Sequence, residues 1–234
     1  MKRRRIRHRI EHTRNKHSRA VFRDETIIIR LARNLSHTQE QEHIQTLLRR
    51  MTQRVLKADK LHCIDPFSPL LNGNQSLTVT LPTGRRYHIA LKPGGATRVE
   101  RHSSGWVITV GPLLRRPGFH RLLWKLLSDA ETPHTIALVK EINERTLGVR
   151  VKDVRLKFAG SQWGSCSPRC TIMINAALLC MPPEILQYII VHELAHVRFQ
   201  NHSHAFWREV ERAMPTYREA KKRLLGYRLP PLAS

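Results

Sequence analysis

The chain has 234 residues, 41% of them apolar, and 41 Lys and Arg stand against 18 Asp and Glu for a formal charge of +23. That length and apolar content mark a globular chain of one substantial or two small domains. The charge predicts attraction to polyanions, and four irregularly spaced cysteines exclude a disulfide scaffold and fit reduced thiols.

Ten of the basic residues fall within the first 23 positions: Lys2, Arg3, Arg4, Arg5, Arg7, Arg9, Arg14, Lys16, Arg19 and Arg23. Residues 1–20 therefore read as a basic flexible arm. Its charges are not followed by the apolar run that a secretory signal needs. The longest apolar stretch, residues 172–191, is interrupted by Pro182, Pro183 and Glu184 and does not read as a membrane span. A cytoplasmic protein is the expectation. Nucleic acid is the polyanion such an arm would attract, through neutralised phosphates and released counterions; a plain solvated tail is the competing reading. No helix-turn-helix or RNA-recognition pattern is visible, and the arm lacks interleaved aromatics, so such binding would be poorly sequence-specific.

Residues 21–114 read as a β-rich part. Alternating runs at 77–81, 87–91 and 106–110 predict strands, with turns at Pro82-Thr83-Gly84 and Pro93-Gly94-Gly95. Residues 115–234 form the next part. Leu122, Leu123, Leu126 and Leu127 predict a helix from Phe119, and a second helical stretch at 133–146 ends at Gly148. Residues 149–158 alternate as a strand, with 171–174 as its partner. Trp163, Gly164 and Ser165 between them are candidates to line a substrate cleft, or equally to form a tight hairpin packed on the following helix. Cys166 and Cys170 read as structural thiols, since no further paired ligands lie nearby.

The next segment carries the chemistry. Pro182 and Pro183 suit a first helical turn and Glu184 suits its dipole. At 3.6 residues per turn Ile185, Ile189, His192 and His196 share one face of that helix. His192-Glu193-Leu194-Ala195-His196 is then a buried HExxH motif, in which two imidazoles one turn apart can hold one metal ion while Glu193 handles protons. Burying two histidines and a glutamate in so apolar a helix is costly without partners, and a divalent cation supplies one for all three. A third ligand is needed, and the order of preference is His202, then Glu209, then His204. On an unbroken helix His202 would lie about 240° from His196, so the chain must leave the helix near residues 199–201, where Asn201 tolerates a left-handed exit. Ser203 then caps a new helix carrying Phe206, Val210, Ala213 and Met214. Phe206 and Trp207 read as packing residues that hold His202.

Gln162-Trp163-Gly164-Ser165-Cys166-Ser167 together with residues 188–207, YIIVHELAHVRFQNHSHAFW, resembles the YgjP-like metallopeptidases, relatives of the SprT and Spartan proteases. In that family a WGSC segment, a strand leading into an asparagine and leucines (here residues 171–178), a proline-led HELAH helix and an N-H-S-x-x-F-W block follow in this order. The resemblance implies one zinc ion on His192, His196 and His202, with Glu193 as catalytic base. It also implies a hairpin over residues 21–30 followed by a helix through residues 39–55. Gln162 departs from the arginine the family places before the tryptophan.

The fold class expected is α+β, a zincin-like core with a small sheet packed on the active-site helix, preceded by a β-rich N-terminal half. In that layout an edge strand can pair with an extended peptide substrate. The chemistry expected is metal-assisted amide hydrolysis with Glu193 as general base, and Arg198, His204 and Tyr217 are candidates for a second electrophile. Two rivals use the same residues: a metal-dependent nucleotide phosphohydrolase, against which the chain shows no Gly-rich phosphate loop or acidic metal cluster, and a nucleic-acid-binding protein with structural zinc, against which stands the glutamate between the ligands.

Overall fold

The computed structural model describes residues 7–23 and 26–231, so Lys2, Arg3, Arg4 and Arg5 lie outside the described residues. The chain divides into two compact units, residues 1–62 and 63–234.

In the first unit β1 (Arg7–His12), β2 (Arg19–Arg23) and β3 (Thr26–Leu31) form a sheet in the order β1-β3-β2, followed by α1 (His37–Asp59). β2 and β3 are antiparallel, and β1 runs parallel to β3. Strand alternation sends Ile27, Ile29 and Leu31 to one face, where they pack with Ile44, Leu47, Leu48 and Met51 of α1. Ser36 and Gln39 open α1 reciprocally: the Ser36 Oγ accepts from the Gln39 N–H at 3.3 Å and the Gln39 Oε1 accepts from the Ser36 N–H at 2.9 Å. The hairpin and helix expected here are present. The described part of the segment read as a flexible arm is instead a paired strand with the start of a second, and the division of the chain falls after residue 62 rather than after residues 20 and 114. Charge density suggested a solvated arm, whereas the Ile-rich β3 offers it a sheet edge.

The division falls within β4 (His62–Cys63), and the second unit continues with the single-turn α2 (Ser68–Leu71). A four-stranded sheet follows, built from β5 (Ser76–Thr80), β6 (Arg86–Pro93), β7 (Arg98–His102) and β8 (Gly105–Val110) in the order β5-β6-β8-β7. β7 was not among the predicted strands, because all five of its residues are exposed and it lacks apolar alternation. α3 (Arg116–Arg145) is one helix running through Pro133, where the sequence predicts two. Proline removes one helical hydrogen bond, but Leu127, Glu131, Thr135 and Val139 on both sides of it are buried and hold the helix together. Gly148, at φ +59°, stops the chain from continuing and donates to the Asn143 carbonyl at 2.8 Å.

Next come β9 (Asp153–Lys157), β10 (Gly164–Cys166) and β11 (Thr171–Asn175), in the order β10-β11-β9, with β9 parallel and β10 antiparallel to the central β11. A 3-10 turn (Ala176–Cys180) leads into α4 (Pro183–Ala195), then α5 (His204–Ala213), α6 (Tyr217–Leu224) and β12 (Tyr227–Arg228). One continuous core joins Val79, Ile89 and Ile108 to Leu123, Trp124 and Leu127 of α3, Ile172 and Ile174 of β11, and Ile185, Ile190 and Leu194 of α4. Each such side chain contributes about 1.5–3 kcal/mol of burial free energy. The four-stranded sheet thus shares one core with α3, β11 and α4. Glu131, fully buried, accepts from Arg85 Nε and Nη2 at 2.7 and 2.6 Å and from the Tyr87 hydroxyl. No helix among the described residues is long and apolar enough to cross a membrane.

Candidate active site

α4 carries the HExxH motif at its end. Its regular turns close at Ala195, and His196 is the cap residue. The chain then turns away with side chains occupying the carbonyls a helix end leaves open: Gln200 Nε2 donates to the His196 carbonyl at 2.7 Å, and His196 Nδ1 donates to the Phe199 carbonyl at 2.9 Å. Asn201 keeps a negative φ, since the left-handed non-glycine residues among those described are Asn34 and Cys170; no left-handed residue is needed once those bonds bend the chain. Ser203 caps α5 as the sequence predicts, its Oγ accepting from the Phe206 N–H at 3.4 Å.

This exit returns His202 to α4. One ligand atom from each of His192, His196 and His202 lies within 4.8 Å of the other two, and the His192 and His202 Nε2 atoms are 3.1 Å apart. Two imidazole nitrogens on one tetrahedral divalent cation are separated by about 3.3 Å, given bonds of about 2.0–2.1 Å. The Phe199 carbonyl holds the proton of His196 on Nδ1, which leaves the Nε2 lone pair free to bind a cation. Burial, then the neighbouring His196 and His202, push the His192 imidazolium down to about 3. Burial also lowers His202. The His192 Nδ1 is buried and has no partner among the described residues. Three imidazoles with ligand atoms converging in this way fit a cation.

Phe206 holds the three rings. It is fully buried, and its ring lies 4.9, 4.6 and 4.9 Å from those of His192, His196 and His202. Trp207 stacks on His202 at 5.7 Å, and Tyr188 meets His192 edge-on at 5.8 Å. The other candidate ligands stay outside this group. Glu209 is paired with Arg198 and Arg212, and His204 starts α5 as an exposed residue. Arg198 is likewise occupied, donating to Glu209 and to the Leu147 carbonyl at 2.7 Å, and Tyr217 is buried between Tyr188 and Trp207.

Glu193 is 4% exposed, and burial pushes its carboxyl up to about 8. β10 lies against it. A Cβ on Gly164 would stand 2.6 Å from Glu193 Oε1 and 2.8 Å from its Cγ. Ser165 follows Gly164 on β10, one of the two edge strands of its sheet, and Trp163 precedes Gly164, packed on the main core. β10 and β11 form the tight hairpin that was one of the two readings of this segment.

Sequence reasoning missed what fixes β10. Asn175 is fully buried; its Nδ2 donates to the Ala159 and Gln162 carbonyls at 2.6 and 2.7 Å, its Oδ1 accepts from the Ala177 N–H at 3.0 Å, and its own N–H donates to the Trp163 carbonyl at 2.9 Å. One signal was available: an asparagine ending an otherwise apolar strand. Gln162 joins this arrangement through its main chain, and its side-chain Nε2 donates to Ser165 Oγ at 3.5 Å.

No curated protein matches the chain. Among solved structures it is similar to the zymogen of abylysin from Pyrococcus abyssi, with 28% identity over 41% of this chain and 99% of that one at a TM-score of 0.36. It is also similar to the zymogen of jannalysin from Methanocaldococcus jannaschii, with 22% identity over 39% and 93% at a TM-score of 0.34. The YgjP-like metallopeptidase domain matches residues 7–226, nearly the whole length. With a histidine triad, a buried glutamate and an edge strand assembled over that same span, the chain belongs to the YgjP-like metallopeptidase family.

Proposed function

We propose that the chain hydrolyses peptide bonds with one zinc ion held by His192, His196 and His202 and with Glu193 as general base. The observation that carries this reading is the convergence of one ligand atom from each of three imidazoles beside a buried carboxyl group. Zinc, when bound, acidifies water and draws charge from a polarised carbonyl. Its positive charge would also favour the ionised Glu193 that burial alone disfavours. Glu193 then takes a proton from the attacking water on a carboxylate oxygen and returns it to the departing amine nitrogen. The outer edge of β10, at Gly164 and Ser165, offers main-chain groups to an extended peptide and would align its carbonyl with Glu193. Phe206, Trp207 and Tyr188 keep the imidazoles oriented and exclude water behind them.

A peptide-library digest read by mass spectrometry, with phosphate release from nucleoside triphosphates measured in parallel, tests the proposal. Zinc-dependent peptide cleavage without phosphate release is the expected result. Phosphate release without cleavage contradicts it.

A further inference from the structure

The strand register of the first unit sorts its side chains onto two faces, and one face is arginine-rich. Pairing sets Arg9 beside Ile28 and Glu11 beside Arg30, while Val21 lies beside Ile28 and Arg19 beside Arg30. Paired residues point to the same side of a sheet, so Arg7, Arg9 and Glu11 share a face with Ile28 and Arg30 and with Arg19 and Val21. The other face meets α1: Ala20 packs in that core, and His12 pairs with Glu40 of α1 at 3.4 Å. Arg7, Arg9 and Arg19 are exposed. Glu11 is the one acid at these described positions; it is bonded to Arg9 at 2.5 Å and to Arg30 at 2.9 Å. Arg7 and Arg19 have no carboxylate partner among the described residues.

We infer that this arginine face of β1, β3 and β2 binds the phosphate backbone of duplex nucleic acid. Charge complementarity selects the partner: the face roots arginines at backbone positions about 6.6 Å apart along β1, with Arg19 of β2 about 10 Å away across β3, within a chain of net charge +23. A rigid array loses less freedom on binding than a loose arm. Between the arginines stand Val21 and Ile28 and no aromatic ring, so the face cannot stack unpaired bases, which favours a duplex over a single strand. Nothing on it matches the bidentate reading of base edges by a groove-inserted element, so binding is independent of sequence.

The test is fluorescence anisotropy of the full-length protein with a labelled 20-base-pair duplex, a single strand of the same length and anionic phospholipid vesicles, from 50 to 200 mM salt. The duplex is expected to bind tightest, weakening steeply with salt. Arg7→Gln/Arg9→Gln/Arg19→Gln should lower affinity at least about tenfold and reduce the salt slope by about 0.9 for each lost contact. The same three positions changed to Lys should keep duplex binding, because the positive charge is retained. Glu11→Gln should tighten it severalfold by freeing Arg9 and Arg30, a gain that misfolding cannot produce. Lys125→Gln/Lys140→Gln/Arg145→Gln on α3, which removes as much charge elsewhere, should leave the slope unchanged. Equal losses in the two Gln triples, tighter binding of the single strand or the vesicles, or no duplex binding at 50 mM salt would overturn the inference.

Discussion

Gly164 and Glu193 occupy one volume between them: the side chain that Gly164 lacks would stand 2.6 Å from the Glu193 Oε1. The atoms in the way, Oε1, Cγ and Cδ, all belong to the Glu193 side chain and none to backbone, so an added methyl is accommodated by turning that side chain and displacing its carboxylate. Gly164→Ala should therefore unfold like the native protein yet lose about 100-fold in turnover, the scale of a 1 Å misplacement of a catalytic group. Native-like thermal melting alongside kcat measurement checks this, and unchanged turnover would show that the contact does not position Glu193.

Phe206 touches all three histidine rings from a fully buried position. Phe206→Ala should cost about 3–5 kcal/mol in stability. Phe206→Leu, which keeps most of the volume, should remain folded at 25 °C but bind zinc about 10-fold or more weakly, because the imidazoles lose their support. Competition against a fluorescent zinc chelator measures the second effect, and native zinc affinity in Phe206→Leu would refute it.

Burial opposes ionisation of Glu131, but its bonds to Arg85 and Tyr87 prevail and hold its pKa below the usual carboxylate value. Removing Arg85 strands a buried charge. Arg85→Met should cost about 3 kcal/mol, at the low end for breaking a buried pair because Arg85 is itself partly solvated. Chemical denaturation at pH 7 reads the cost. The loss should shrink as pH falls, since stability from a lowered pKa is present above the unfolded value of about 4.5 and disappears below the folded one.

Glu193 has the opposite sign. Its folded pKa of about 8 lies above the unfolded 4.5, so ionisation opposes folding, and the penalty of the metal-free protein grows as pH rises from 4.5 to 8. Glu193→Gln removes that penalty. Measured in chelator, the variant's melting temperature minus the native one should widen across this window, reaching about 5 °C or more at pH 8. Because His192 is common to both proteins, its own titration cancels in the difference. A gap independent of pH would contradict the burial assigned to Glu193.

The features legible in the sequence are those with local causes. The HELAH spacing, the proline-led start of α4 and the Ser203 cap each place a residue through its near neighbours. His202 is recovered from its ten-residue interval to His192, although hydrogen bonds of His196 and Gln200, not a left-handed Asn201, turn the chain. β1 and β7 were illegible because their residues are charged and mostly exposed, and partner strands define them. Asn175 organises β10 through groups as many as 16 residues away, which no periodicity reveals. Pro133 read as the start of a second helix because its local penalty is visible in sequence, whereas the buried residues that carry one helix through it are not.

The central claim is that three imidazoles hold one cation for a glutamate that moves the proton. Metal content and peptide-cleavage rate, measured together on the native protein and on Glu193→Gln, test it most directly. The account predicts one zinc ion per chain in both, with cleavage reduced about 100- to 10,000-fold in the variant alone. Cleavage at the native rate by zinc-loaded Glu193→Gln, or a native protein that cleaves peptides without bound metal, would contradict it.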